Sequence, residues 1–384
     1  MKTILTAARL IAPEGIIDDP ILAIDDGVVI AIDSRANSEL PAGDHRDFPG
    51  CTLAPSFFDV HMHGGMGHDV MEATPEAFSA VGQFLARNGV GAYLATTMTA
   101  PVDAILKSLS GIAKFINSHD HGARPLGIHI EGPFLSPHKR GCHPVDLLQT
   151  PTTWLFDQMW QASEGHIRLM TIAPELHNAP EVIAHAATLG VRCSIGHSNA
   201  VASEAEAGIR AGAVSATHTF NAMRAFDHKD SGILGEVLTN EDLYAELICD
   251  GFHVDPAAVN IWWRCKGRAR AILITDAMSA AGMPDGNYKL GELDVQVASG
   301  KAVIDENTLA GSTLSLNRGV KNFIEFTGVP IESAARLASR NPARMTGLES
   351  EVGSLVAGRR ADVIILSPEN DVVETYLHGT PVGK

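Results

Sequence analysis

Six residues able to bind a metal or carry a proton stand at the ends of apolar, strand-like runs. His61 and His63 follow Ala54–Val60, Glu131 follows Leu126–Ile130, and His197 follows Val191–Ile195. His218 follows Ala213–Thr217, and Asp276 follows Ala271–Ile274. Imidazole nitrogen and carboxylate oxygen suit zinc and other divalent transition metals. Three protein ligands leave one position for water, whose pKa the cation lowers to about 7. A free carboxylate alongside can take the water proton and pass it to a leaving amine. Asp276 is assigned that role. Each residue alone also has a plain reading: a surface or packing His-X-His pair, an ion-paired core Glu131, structural His197 and His218, a helix-capping Asp276. Their shared placement favours a common purpose. His129 alternates with Glu131 and points the same way, either as a partner of the ligands or as packing.

The elements that position these residues alternate. From about Leu53 to Leu348, strand-like runs are followed by helix-like ones, which means a parallel sheet, open or closed into a barrel. Thr74 reads as the N-cap of a helix with Pro75 in its first turn, Phe78, Val81 and Leu85 on one face, and a stop at Asn88–Gly89; a strand follows at Ala92–Thr97. Ser198 reads as the N-cap of a further helix ending before Gly212. No GxGxxG turn follows the first strand of the alternating region, which counts against dinucleotide binding. In a closed barrel all the C-terminal strand ends lie on one rim. The chain ends differ from its middle: Ile21–Ile24 and Val28–Ile32 around Asp25–Asp26–Gly27, then Val363–Leu366 and Val372–Leu377, are short strands. We expect residues 1–53 and 349–384 to form one small β domain and residues 54–348 the catalytic unit.

Composition narrows the partners. With 384 residues, 45% hydrophobic and 19% charged, the chain is an ordinary globular one. A net charge of −16 without any Lys/Arg run argues against nucleic acid. No apolar run reaches membrane-spanning length, and Met1 to Ala12 is too weak for a signal peptide. Five scattered cysteines, never CxxC, indicate neither disulfides nor a cysteine zinc site, and a cytoplasmic location is expected.

The stretches His61-Met62-His63-Gly64-Gly65, His129-Ile130-Glu131-Gly132-Pro133-Phe134-Leu135-Ser136-Pro137, Ile195-Gly196-His197-Ser198, Thr217-His218-Thr219-Phe220-Asn221-Ala222-Met223 and Thr275-Asp276-Ala277-Met278 resemble the N-acetylglucosamine-6-phosphate deacetylases of the amidohydrolase superfamily. The similarity runs through Asp250-Gly251-Phe252-His253, Leu309-Ala310-Gly311-Ser312 and Gly358-Arg359-Arg360-Ala361-Asp362, nearly the whole chain. It implies a (β/α)8 TIM barrel with a small β-sandwich from both termini. It further implies a hydrolase of carbon–nitrogen bonds in linear amides, acting in amino-sugar catabolism. By resemblance Glu131, His197 and His218 hold the principal metal, zinc or else iron or another transition metal. Asp276 is the general base and acid, and His143 polarises the acetyl carbonyl. Asn221, Ala222 and His253 contact the sugar phosphate, with Cys142, Lys229 and Leu309 also at the substrate. Lys229 stands where many relatives carry Arg, and Cys142 where Ala is common. Family members are commonly homodimers in which a basic residue crosses to the phosphate. His61 and His63 permit a second ion, so one or two ions per chain are expected. The alternatives are deacetylation of N-acetylgalactosamine 6-phosphate or another N-acyl compound, and a non-catalytic scaffold of the same fold.

Overall fold

The alternation of strands and helices closes on itself. The computed structural model describes residues 2–118, 122–306 and 308–383. Eight parallel strands follow one another in chain order around a barrel: β1 (Phe57–Met62), β2 (Val90–Thr97), β3 (Arg124–Glu131), β4 (Ile167–Ile172), β5 (Arg192–Ile195), β6 (Ala213–Ala216), β7 (Tyr244–Ile248) and β8 (Ala271–Ile274). Strand alternation divides the interior by height. Ala92, Leu94, Leu169, Ile272 and Ile274 form an apolar layer with Met345. Two residues further along the same strands come Thr96, Thr171 and Asp276, all buried. The bulky layer is the floor on which the polar layer stands.

Helix α1 (Pro75–Arg87) starts and stops where the sequence indicates. Thr74 Oγ1 accepts the Ala77 N–H at 3.2 Å, Pro75 occupies the first turn, and Asn88 caps the C-terminus. Phe78, Val81 and Leu85 are all buried, each burial stabilising by roughly 1.5–3 kcal/mol. The helix expected from Ser198 instead begins later, at Ala202–Ala211. The Ser198 hydroxyl is engaged elsewhere: it donates to Glu175 Oε2 at 2.7 Å and accepts the Ala200 N–H at 3.0 Å. That turn chemistry shapes the loop behind His197 rather than opening a helix. No helix follows Asp276 directly. A three-stranded antiparallel insert (Gly286–Leu290, Leu293–Ala298, Lys301–Val303) comes first, so helix capping does not explain that aspartate.

Both termini enter one eight-stranded sheet, joined where Val363–Leu366 pairs antiparallel with Thr52–Pro55. Asp26 and Gly27, at φ 48° and 72°, turn the chain between Pro20–Asp25 and Val28–Ser34, as a tight hairpin requires. Among the described residues no helix is long and apolar enough to cross a membrane.

The barrel is stitched most lightly between β8 and β1. These strands share no ladder; Met62 at the end of β1 bridges Ala277, three residues past β8, whose carbonyl also accepts the His63 and Gly64 N–H groups. Side chains reinforce it. The buried Asp59 accepts the Thr275 hydroxyl at 2.6 Å and the His61 N–H at 3.3 Å, while the Asp276 N–H donates to His61 O at 2.9 Å. Burial, partly offset by these bonds, pushes the Asp59 pKa up to about 6.

Candidate active site and metal centre

Every candidate from the strand ends reaches one place. Glu131, the last residue of β3, is its hub. Its Oε1 lies 3.3 Å from His61 Nε2, 3.3 Å from His197 Nε2 and 3.2 Å from His218 Nε2. Its Oε2 lies 3.2 Å from His63 Nε2 and 3.7 Å from His143 Nε2. Asp276 Oδ1 closes the far side, 3.1 Å from His63 Nε2 and 3.4 Å from His61 Nε2. The strands end abruptly here: His197, His218 and Asp276 have φ of 47°, 27° and 52°. Left-handed backbone costs a non-glycine residue about 1–3 kcal/mol and clusters at functional sites.

The partners of each Nδ1 sort the histidines into two kinds. His63 Nδ1 faces Thr96 O at 3.1 Å and His197 Nδ1 faces Lys139 O at 3.0 Å. A carbonyl only accepts, so both rings carry hydrogen on Nδ1 and present an Nε2 lone pair to the site. His143 is the reverse. The Thr99 backbone N–H points at its Nδ1 from 3.3 Å, and the Thr99 hydroxyl lies 2.8 Å away. A backbone N–H only donates, so His143 Nδ1 is the acceptor and the hydrogen sits on Nε2, facing the cavity. Gly132 makes this possible: at φ 85° it leaves space where a Cβ would lie 2.1 Å from Thr99 Oγ1.

The electrostatics fit a cation. Burial alone would raise the Glu131 pKa, but the charge of His61 and the surrounding imidazoles of His143, His197 and His218 hold it well below the usual range. Burial is likewise outweighed at Asp276, where His61 and His63 bring the pKa down to about 2. In turn burial opposes, and the two carboxylates overcome it to raise, the His63 pKa to about 9 and the His61 pKa well above normal, so that without an ion these rings hold a proton on Nε2 whose place a cation would take. Burial dominates at His197, lowering it to about 4. His61 Nε2 and Glu131 Oε1 lack a hydrogen-bond partner among the described residues. The Nε2 atoms of His197 and His218 are 3.0 Å apart. Close lone pairs aimed at an anionic carboxylate are what a divalent ion satisfies. Two groups of ligand atoms emerge, His61–His63–Glu131–Asp276 and Glu131–His143–His197, sharing Glu131. The hydrogen on His143 Nε2 excludes that ring as a ligand, and the position of His218 Nε2 makes it the better third member.

A cavity of about 270 Å³ opens above this cluster, and its walls include Cys142, His143, Asn221, Ala222, His253 and Leu309. His253 Nδ1 is held by Asp250 Oδ2 at 2.6 Å. Burial, with the Asp276 and Glu131 charges, pushes the Cys142 thiol up to about 12, a neutral filler beside Met98 and Met278 and not a reactive thiolate. Lys229 lies apart, exposed on the loop after Met223, its N–H bonded to Asp227 Oδ1. A larger groove of about 770 Å³ beside α2 (Val102–Ser118) contains none of the candidate residues.

Four residues escaped the sequence reading. Asp59 braces His61, Thr99 orients His143, and Glu175 accepts from Ser198 and the Asn199 N–H behind His197. Glu246 lies 3.3 Å from His61 Nδ1. Asp59, two residues before His61, shared a legible alternation. His129 proves part of a hydroxyl network, 2.8 Å from Thr171 Oγ1, which in turn lies 2.8 Å from Thr217 Oγ1. Its hydrogen bonds do not reach a ligand ring.

With this geometry in place, comparison with known proteins is decisive. The profile of the amidohydrolase family matches residues 52–382. The chain belongs to the amidohydrolase family. It is 39% identical to the N-acetylgalactosamine-6-phosphate deacetylase of Escherichia coli O157:H7, across 99% of each chain. It is 36% identical to the N-acetylglucosamine-6-phosphate deacetylase of Vibrio furnissii, across 94% of this amidohydrolase and 90% of the relative. A mutant N-acetyl-D-glucosamine-6-phosphate deacetylase of Mycobacterium smegmatis, solved with N-acetyl-D-glucosamine-6-phosphate, superposes with a TM-score of 0.93 at 34% identity, covering both chains completely. The protein is therefore a hydrolase of this superfamily, with a buried His/Glu/Asp cluster compatible with a divalent metal.

Proposed function

We propose that this amidohydrolase removes the acetyl group from N-acetylglucosamine 6-phosphate, giving glucosamine 6-phosphate and acetate. The observation that carries the mechanism is the split among the histidines: His63 and His197 offer lone pairs, whereas His143 offers a hydrogen. Glu131, His197 and His218 would hold the principal ion, with His61 and His63 holding a second and Glu131 shared. The mixed imidazole and carboxylate donors favour zinc. A divalent ion at such a site supplies Lewis acidity that activates water and polarises an acyl oxygen. Asp276, ionised at neutral pH, takes the proton of the attacking water and returns it to the amine nitrogen as the C–N bond breaks. His143 Nε2–H donates to the acyl oxygen as negative charge develops there.

The sugar would rest against Asn221, Ala222, His253 and Leu309, with Cys142 filling the wall near the acetyl group. Among the described residues no Lys or Arg lines the cavity, and a phosphate dianion needs charge nearby. A homodimer that brings a basic loop residue such as Lys229 across to the partner's cavity would supply it. Five unpaired thiols fit a cytoplasmic enzyme.

The N-acetylgalactosamine 6-phosphate reading draws on the 39%-identical relative of that name. Acetate release should be measured with both epimers, before and after chelation. Faster turnover of the glucosamine epimer, abolished by chelator and restored by zinc, is the expected result. A preference for the galactosamine epimer would replace the substrate while leaving the mechanism, and no acetate from either would refute both.

A further inference from the structure

We propose that Glu246 is a positioning residue for the second ion, acting through His61; this rests on the two-ion reading above. Glu246 lies mid-strand in β7, between buried Ala245 and Leu247, and is itself completely buried. An acid at such a place is retained only against the cost of desolvation. Its Oε2 lies 3.3 Å from His61 Nδ1, while its Oε1 has no hydrogen-bond partner among the described residues. The opposite nitrogen of the same ring, Nε2, points between Glu131 Oε1 and Asp276 Oδ1 at 3.3 and 3.4 Å.

The arrangement is a relay of one carboxylate, one imidazole and an anionic ligand cage. A hydrogen on His61 Nδ1 directed at Glu246 leaves the Nε2 lone pair for a cation, and the negative charge behind the ring raises its basicity. His63 takes its orientation from the Thr96 carbonyl and His197 from the Lys139 carbonyl. His61 has a full charge instead, reaching it from β7 past the intervening β8. A purely structural Glu246 would stabilise the barrel without favouring one ion over the other.

The test is metal retention by the purified protein loaded with zinc and titrated with a competing chelator, alongside Glu246→Gln and Glu246→Met. Glu246→Met removes the acceptor; Glu246→Gln keeps an acceptor oxygen and removes the charge. In Glu246→Met we expect one ion per chain to bind about tenfold or more weakly, the other unchanged, with Glu246→Gln between. In a His61→Ala background, Glu246→Gln should cause no further loss, because the relay is already cut. Two ions with wild-type affinities in Glu246→Gln would overturn the proposal, as would an equal loss in the His61→Ala background. Should Glu246→Met fail to fold, Glu246→Gln and the double variant carry the test alone. A wild-type protein holding one ion, independent of His61, would remove the second site and this role together. No substrate enters the measurement, so an absence of deacetylation leaves its outcome separate.

Discussion

Replacing Thr99 by valine should slow turnover by about two- to tenfold while leaving KM nearly unchanged. The side chain keeps its shape but loses the oxygen 2.8 Å from His143 Nδ1, leaving only the backbone N–H at 3.3 Å. One neutral buried hydrogen bond contributes about 0.5–1.5 kcal/mol, and about 1.36 kcal/mol changes a rate tenfold. On the proposed mechanism the effect belongs in kcat, because His143 Nε2–H would act on charge that appears in the transition state. The loss stays modest because the remaining N–H still favours the same tautomer. A methyl group in place of the hydroxyl also crowds the ring, so the upper end of the range is the better expectation. Steady-state acetate release by wild type, Thr99→Val and Thr99→Ser separates these contributions. Serine retains the hydroxyl and should recover most of the rate. Wild-type kcat in Thr99→Val, or a change confined to KM, would refute the assignment of the Nε2–H form to His143.

Asp276→Asn should keep the fold and its metal but lower kcat by about 10²–10⁴, since an amide cannot shuttle a proton; near-normal turnover would remove Asp276 from the chemistry. Metal analysis should find near two ions per wild-type chain, near one with residual activity in His61→Ala/His63→Ala, and no activity in His197→Ala. One ion in wild type at saturating metal would eliminate the second site. The Asp59 carboxyl rises from 3.8 unfolded to about 6 folded, principally through burial. Its contribution therefore favours the fold below about pH 4 and is lost as pH climbs through 6, a swing of roughly 3 kcal/mol. Denaturant unfolding of chelated protein should show Asp59→Asn gaining on wild type between pH 4 and 7; a pH-independent difference contradicts this. Cys142→Ala should retain turnover within about threefold, as expected for a neutral filler, and a larger loss in the acetate assay would give the thiol a specific role.

How much could be read from the chain depended on the kind of signal. Strand ends carrying His61, Glu131, His197, His218 and Asp276 were visible because one apolar run after another stops at a chemically capable residue. Helix α1 was visible through Thr74, Pro75 and Asn88, each with a local geometric reason. Ser198 misled because the same hydroxyl that caps helices also folds loops, and Glu175, 23 residues earlier, decides which. Thr99 and Glu246 remained hidden for a related reason. Thr99 meets His143 across 44 positions and Glu246 meets His61 across 185, and no local periodicity encodes such distances. The antiparallel insert was legible in principle, since Val295 and Val297 alternate with polar neighbours, but its position inside a βα series disguised it.

The light stitching between β8 and β1 places the enzyme's chemistry on a fastening. His61 and His63 lie on one side of that join and Asp276 on the other, linked by a few hydrogen bonds and the Asp59–Thr275 clasp. Widening the join would separate the proposed base, Asp276, from the proposed ligands His61 and His63 while the other seven strand contacts held. Damage there would consequently look like a lesion in catalysis: a protein with normal circular dichroism and an ordinary melting temperature, but no turnover.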